Sequence, residues 1–278
     1  GSEMCIRDRL TKTPQTEEDI KHLTFYDDNH LFYITSAGIS LLNISTSESR
    51  LLYSNTTEDF FQVPSLYYDD QLKRLWIGTG SAGLFYYDII RKSLSDIPIR
   101  NFPKQPILAI RKDAKNTLLI GIDGQGIWNI SEKGDTILHI YKEDLNNPFS
   151  LRGDGVYDIL CDGSKNWIAT FTGKLSFFEN NNSQITPVTY QINNPNSLGN
   201  NYVNQIIEDH EGHIWFATNN GVSRWDAASN KWKHYYQNKS EQAKVFLSLC
   251  EDNQGHIWAG SYSSGIYLLA VSYTHLTL

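Results

Sequence analysis

Residues 203–236 read VNQIIEDHEGHIWFATNNGVSRWDAASNKWKHYY, and this stretch decides the fold. Val203–Glu208 is an apolar first strand, closed by the tight turn Asp209-His210-Glu211-Gly212, where Asp caps and Gly supplies positive φ. His213–Thr218 is a second strand and Asn219-Asn220-Gly221 a second turn. Val222–Trp225 begins a third strand, Ala227–Asn230 turns again, and Trp232–Tyr236 is a fourth. Two-residue alternation and an Asn-Gly turn are hairpin signals, so the stretch is predicted to be a four-stranded antiparallel meander.

The same unit recurs along the chain. Arg74-Leu75-Trp76-Ile77-Gly78-Thr79, Asn166-Trp167-Ile168-Ala169-Thr170 and His256-Ile257-Trp258-Ala259-Gly260-Ser261 repeat its second strand. Leu118-Leu119-Ile120-Gly121 and Leu31-Phe32-Tyr33-Ile34-Thr35 are degenerate copies. The anchors fall at 32, 76, 119, 167, 215 and 258, spaced by 43–48 residues. An Asp precedes each by five to seven residues (Asp27, Asp70, Asp113, Asp162, Asp209, Asp252). A Gly follows each (Gly38, Gly83, Gly126, Gly173, Gly221, Gly265).

That period is the size of one β-propeller blade. A four-stranded sheet cannot bury both faces alone, whereas stacked blades can, so the anchor tryptophans are expected to pack between blades. A parallel β-helix would need fewer turns and fits less well. The predicted fold class is therefore all-β, a propeller of four-stranded antiparallel blades. About six repeats span residues 11–270, expected to be an incomplete part of a larger propeller. Residues 1–10 and 271–278 fit no part of the repeat and resemble translated sequencing-adapter read-through, so they are expected to be non-native flanks.

Composition agrees with this reading. Of 278 residues 13% are aromatic, with 7 Trp and 16 Tyr against one Met, which favours pleated sheet over helix. A net charge of −7 without a sustained basic cluster argues against a nucleic-acid partner. The apolar run Ile266–Val271 is far short of the ~20 residues of a membrane helix, so no direct membrane insertion is expected. Cys5, Cys161 and Cys250 are odd in number and lack Cys-x-x-Cys spacing, which suggests neither a disulfide framework nor zinc. Cys161 and Cys250 read as buried thiols. No metal and no cofactor is expected.

Two long connections are nearly identical: Asn146-Asn147-Pro148-Phe149-Ser150-Leu151 recurs as Asn193-Asn194-Pro195-Asn196-Ser197-Leu198. The string from Asn194 through Glu208-Asp209, Ile214-Trp215 and Thr218 to Gly221 resembles the two-component regulator propeller repeat. The resemblance runs over residues 20–270, strongest in the fifth repeat, with Phe32 and Leu119 departing from the Trp anchor. It implies a larger seven-bladed or paired propeller, and the periplasmic sensor region of a hybrid histidine kinase that recognises oligosaccharides. The implied partners are an oligosaccharide or other small ligand, further propeller repeats and signalling domains of the parent chain, and a homodimeric copy.

In a propeller the strand-two/three loops and the connections between repeats share one face, and binding residues concentrate on such loops. The candidate ligand residues there are Asp123, Gln125, Arg152, Asp154, Phe171, Asn201, Tyr202, Asn219 and Tyr262. Aromatic faces suit a pyranose ring and amides suit its hydroxyls. The competing explanation for each Asn and Asp is that turns require them. Turns do not require Tyr202, Phe171 or Tyr262. No catalytic constellation is visible, and His210, His213 and His256 lie in first turns on the opposite face. The alternatives are a stand-alone lyase of the virginiamycin-lyase type, which resembles this chain in its Gly-x-Ile-Trp-Phe repeats, and a protein-interaction scaffold.

Overall fold

The computed structural model describes residues 19–55, 62–236 and 244–269; both expected flanks lie outside these residues. All regular elements described are β-strands, grouped into consecutive antiparallel sheets. Blade one holds β1 (His22–Asp27), β2 (His30–Thr35), β3 (Gly38–Asn43) and β4 (Ser49–Ser54). Blade two holds β5 (Ser65–Asp69), β6 (Arg74–Gly78), β7 (Leu84–Asp88) and β8 (Ser93–Asp96). Blade three holds β9 (Ile107–Lys112), β10 (Leu118–Ile122), β11 (Gly126–Ile130) and β12 (Ile137–Tyr141). Blade four holds β13 (Val156–Cys161), β14 (Lys165–Thr170), β15 (Lys174–Glu179) and β16 (Asn182–Val188). Blade five holds β17 (Val203–Glu208), β18 (Ile214–Thr218), β19 (Gly221–Asp226) and β20 (Lys231–Tyr235). Blade six shows β21 (Phe246–Glu251), β22 (Ile257–Ser261) and β23 (Ile266–Leu269). The fold is an all-β propeller type, and each meander keeps the order in which its strands leave the chain.

The chain divides into two compact units: blades one to four, and blades five and six together with residues 173–175. Within the larger unit the first strands β1, β5, β9 and β13 are successive neighbours, and within the smaller one β17 neighbours β21. The second strands are the most buried because both faces are covered. On β10, Leu118, Ile120 and Ile122 pack with Trp76 of the preceding blade. Leu119, one residue out of phase, packs with Val156, Ile159 and Ile168 of the following one. Strand periodicity thus assigns alternate side chains to two different cores.

The anchors are inter-blade packing. Trp76, Trp167 and Trp215 are fully buried, and Trp215 lies among Phe246, Leu249 and Ile257 of the next blade. Trp258 is only half-buried. The first-turn aspartates hold both backbone and anchor: Asp209 Oδ1 accepts from Glu211 N (3.0 Å) and His213 N (2.8 Å), while Oδ2 accepts from Trp215 Nε1 (2.7 Å). Asp162 and Asp252 repeat this clasp on Trp167 and Trp258 at 2.8 Å. Burial pushes the Asp162 carboxyl up, but bonds from Lys165, Trp167 and Ser164 outweigh it and leave its pKa below the ordinary value.

Two expectations are corrected. In blade two the turn is held by Asp69, not Asp70: Asp69 Oδ1 accepts from Gln71 N and Leu72 N, whereas exposed Asp70 pairs with Lys73. Asp69 is still in register, opposite Arg74, so the cap sits inside the strand pair. Cys161 is a free thiol that burial pushes up to about 12, but Cys250 is disulfide-bonded.

Candidate functional site

Four first strands carry the same irregularity where they begin. In β13 the register passes from Val156↔Thr170 to Asp158↔Ala169, skipping Tyr157. In β17 it passes from Val203↔Thr218 to Gln205↔Ala217, skipping Asn204. Leu108 is skipped likewise in β9 and Leu247 in β21. A bulge leaves one residue unpaired and re-aims its side chain. Blade two lacks it, with Ser65↔Gly78 followed directly by Leu66↔Ile77.

Beside each bulge, the residue after the second strand is fixed by one recurring bond. Asp123 N donates to Pro106 O (2.9 Å), Phe171 N to Gly155 O (2.7 Å), Asn219 N to Tyr202 O (3.0 Å) and Tyr262 N to Val245 O (2.9 Å). The backbone is therefore constant while the residues at the two positions differ: Leu108 and Asp123, Tyr157 and Phe171, Asn204 and Asn219, Leu247 and Tyr262. The turn residues were legible from sequence. The bulge residues were missed, since only an interruption of the alternation, as in Val156-Tyr157-Asp158, marks them.

In the larger unit these positions converge between blades three and four. The rings of Tyr157 and Phe171 meet edge to face, with centroids 5.3 Å apart and planes at 74°. Phe171 remains 63% exposed, far more than packing alone would leave. Gly155 runs between them and Asp123: a Cβ there would lie 3.1 Å from Phe171 Cβ and 3.2 Å from Asp123 Oδ1. Burial raises the pKa of the Tyr157 hydroxyl, and the Asp123 charge raises it further. Gln125 is drawn into the same sector, its Oε1 accepting from Lys142 Nζ at 3.1 Å.

Arg152 and Asp154 are also nearby, but the structure commits them to the loop. Arg152 Nη2 donates to Pro148 O at 2.7 Å, and Asp154 Oδ1 accepts from Glu143 N at 2.7 Å. In the smaller unit Asn201 repeats the part of Asp154, its Oδ1 accepting from Tyr190 N at 2.7 Å. Asn219 Oδ1 accepts from Asn204 Nδ2 (2.9 Å), which also donates to Phe246 O (2.8 Å). The Tyr202 ring lies over Gly173, where a Cβ would come within 2.6 Å of it. Tyr262 is 75% exposed on the neighbouring blade.

The first-turn histidines occupy the opposite ends of the strands and are paired with carboxylates, not simply solvated. His213 Nδ1 lies 3.0 Å from Asp209 Oδ2, and His256 Nδ1 lies 3.1 Å from Asp252 Oδ2. His210 reaches the next blade, pairing with buried Glu251 through its ring and its backbone N–H. Among the described residues no group of three His, Cys, Asp or Glu could hold a metal ion. No helix described is long and apolar enough to cross a membrane. A cleft of about 410 Å³ opens on the outer rim between β12, β16 and Phe149, where Ser150 and Asp144 already bond to each other.

The sequence family that matches is the two-component regulator propeller, over residues 197–220 and 240–263. Two stretches of this chain are thus similar to that repeat. The first matched segment runs from Ser197 of the long connection through the Asp209–Trp215 clasp to Asn220. No protein with a curated description matches the chain. Among solved structures, the extracellular domain of BT4673 from B. thetaiotaomicron is similar in two crystal structures, described once as a one-component and once as a hybrid two-component system. Identities are 19% and 18% with TM-scores of 0.46 and 0.45; 90% of this chain is covered and 40% of theirs, so the chain spans well under half their length. The computationally designed protein Ika8 is similar in fold alone, at 12% identity and a TM-score of 0.62, covering 90% of this chain and 70% of that one.

Proposed function

We propose that the chain is the ligand-recognising propeller part of a two-component sensor on the extracytoplasmic, periplasmic side of a membrane-anchored parent protein. Its ligand is an oligosaccharide, bound on the face where the bulged first strands meet the second turns. The observation that carries this is the bulge pair: one backbone frame repeated in four blades, presenting different chemistry in each. A fold that needed these positions only for packing would fill them alike. In the larger unit Tyr157 and Phe171 offer stacking faces, with Gln125 and Asp123 beside them as hydroxyl partners. The role is binding rather than chemistry, and the parent's signalling domains, further repeats and a second copy are the partners that would read occupancy. Transmission then rests on unequal ligand affinity for two arrangements of the parent ectodomain.

The experiment is a broad glycan array probed with the full chain, followed by titration of any hit against Phe171→Ala and Tyr157→Ala. The expected result is a hit whose affinity falls roughly tenfold in either variant, the order of magnitude of one lost aromatic contact. An array without hits, or a hit indifferent to both substitutions, would overturn the assignment.

A further inference from the structure

The Tyr157–Phe171 corner has an electrostatic sign, and that sign sorts its ligands. Two rings at 74° form its walls, and the Asp123 carboxylate stands beside them across the side-chain-free Gly155. The proximity is felt electrostatically, since the Asp123 charge acts on the Tyr157 hydroxyl. Two cations border the sector, and both are turned into bonds of their own: Lys142 onto Gln125 Oε1 and Arg152 onto Pro148 O. Asp154, of the same sign as Asp123, also lies in this sector, tied to Glu143 N. Ring faces present negative charge as well, so carboxylate and π-systems add in favouring a cation.

Resting on the glycan reading above, we infer that Asp123 is a specificity-determining residue. The corner takes a sugar carrying a protonated amine in preference to a neutral one, and rejects a sugar carrying a carboxylate or sulfate. The stacking surface supplies attraction common to all three, while Asp123 supplies the difference. Substitution by Asn keeps shape and polarity, and the bond fixing the loop is made by the Asp123 backbone N–H, which Asn retains.

The test titrates the full chain, at low and moderate salt, with methyl glucosaminide, methyl glucoside and methyl glucuronide, following aromatic NMR signals of Tyr157 and Phe171. The expected order is amine, then hydroxyl, then carboxylate, with about tenfold between the extremes at low salt, shrinking as salt screens the charge. In Asp123→Asn the spread between the amine and carboxylate sugars should shrink to about twofold. Equal or tighter binding of the glucuronide, or an unchanged order in Asp123→Asn, refutes the inference and leaves the glycan site standing. If none of the three perturbs either ring while the array also stays blank, the site assignment itself falls and this inference with it.

Discussion

Blades four and five are built on one plan and present opposite chemistry. Their connecting loops close with the same bonds: Asp154 onto Glu143 N and Asn201 onto Tyr190 N, Ser150 onto Asp144 N and Ser197 onto Gln191 N. Leu151 and Leu198 are buried completely in both. At the bulge, however, blade four sets an aromatic pair, Tyr157 on Phe171, where blade five sets an amide pair, Asn204 on Asn219. The residue before the strand is exchanged in the opposite sense: Gly155 leaves the aromatic corner open, while the corresponding Tyr202 lies over Gly173. Framework and face are thus separable. Repetition constrains the residues that close loops and fill blade interfaces, and leaves the bulge pairs to vary.

The largest effects should come from breaking the shared framework. Trp215, fully buried against blade six and bonded to Asp209, should cost about 3–5 kcal/mol on replacement by Ala, read as a lower urea midpoint. Next comes the loop closure. Asp154→Ala leaves Glu143 N without its acceptor and should cost about 1–2 kcal/mol. Asp154→Asn, which installs the residue that closes the sister loop, should leave stability within about 0.5 kcal/mol. If Asp154→Asn were as harmful as Asp154→Ala, the two loops would not be equivalent and the comparison would fail.

Exchanging the face sharpens the contrast. Tyr157→Asn with Phe171→Asn converts the aromatic pair to the amide pair of blade five. Urea unfolding should move by no more than about 1–1.5 kcal/mol, the loss of one ring–ring contact, while affinity for any glycan found on the array falls at least roughly tenfold. Loss of folding instead would mean that the rings are packing residues.

Much of this plan is legible in the linear sequence, for physical reasons. Inter-blade anchors must be large and apolar and turns must contain capping and positive-φ residues, so Trp215, Asp209 and Gly212 announce themselves; Gly212 has φ +82 and β17 spans Val203–Glu208. The bulges do not, because one inserted residue changes direction without changing composition: Tyr157 reads as an ordinary strand residue. The cap in blade two was misplaced by one position for a related reason. Asp69 and Asp70 are both plausible from spacing, and only the strand register, Asp69 opposite Arg74, decides between them. Arg152, Asp154 and Asn201 are loop residues of the right chemistry whose side chains are already in use, which spacing does not reveal.

The smallest effect lies within the smaller unit, at a first turn. His210 pairs with buried Glu251 of the next blade, and that bond, aided by the neighbouring Asp209 and Glu211 charges, raises the His210 pKa above its ordinary 6.5. A raised folded-state value means that the protonated form favours the folded state. Its contribution is fully present below about pH 6.5 and is lost as the pH rises through the higher folded value. The ring is more than half exposed, so solvent screening keeps the contribution small. Urea midpoints measured from pH 5.5 to 8.5 should therefore decline slightly with rising pH across that window, and His210→Gln should remove that increment. Blade four has Gly163 following its own turn aspartate and no counterpart to this pair, so substitutions at Gly163 should leave the pH slope untouched. A slope unchanged in His210→Gln would place the titration elsewhere.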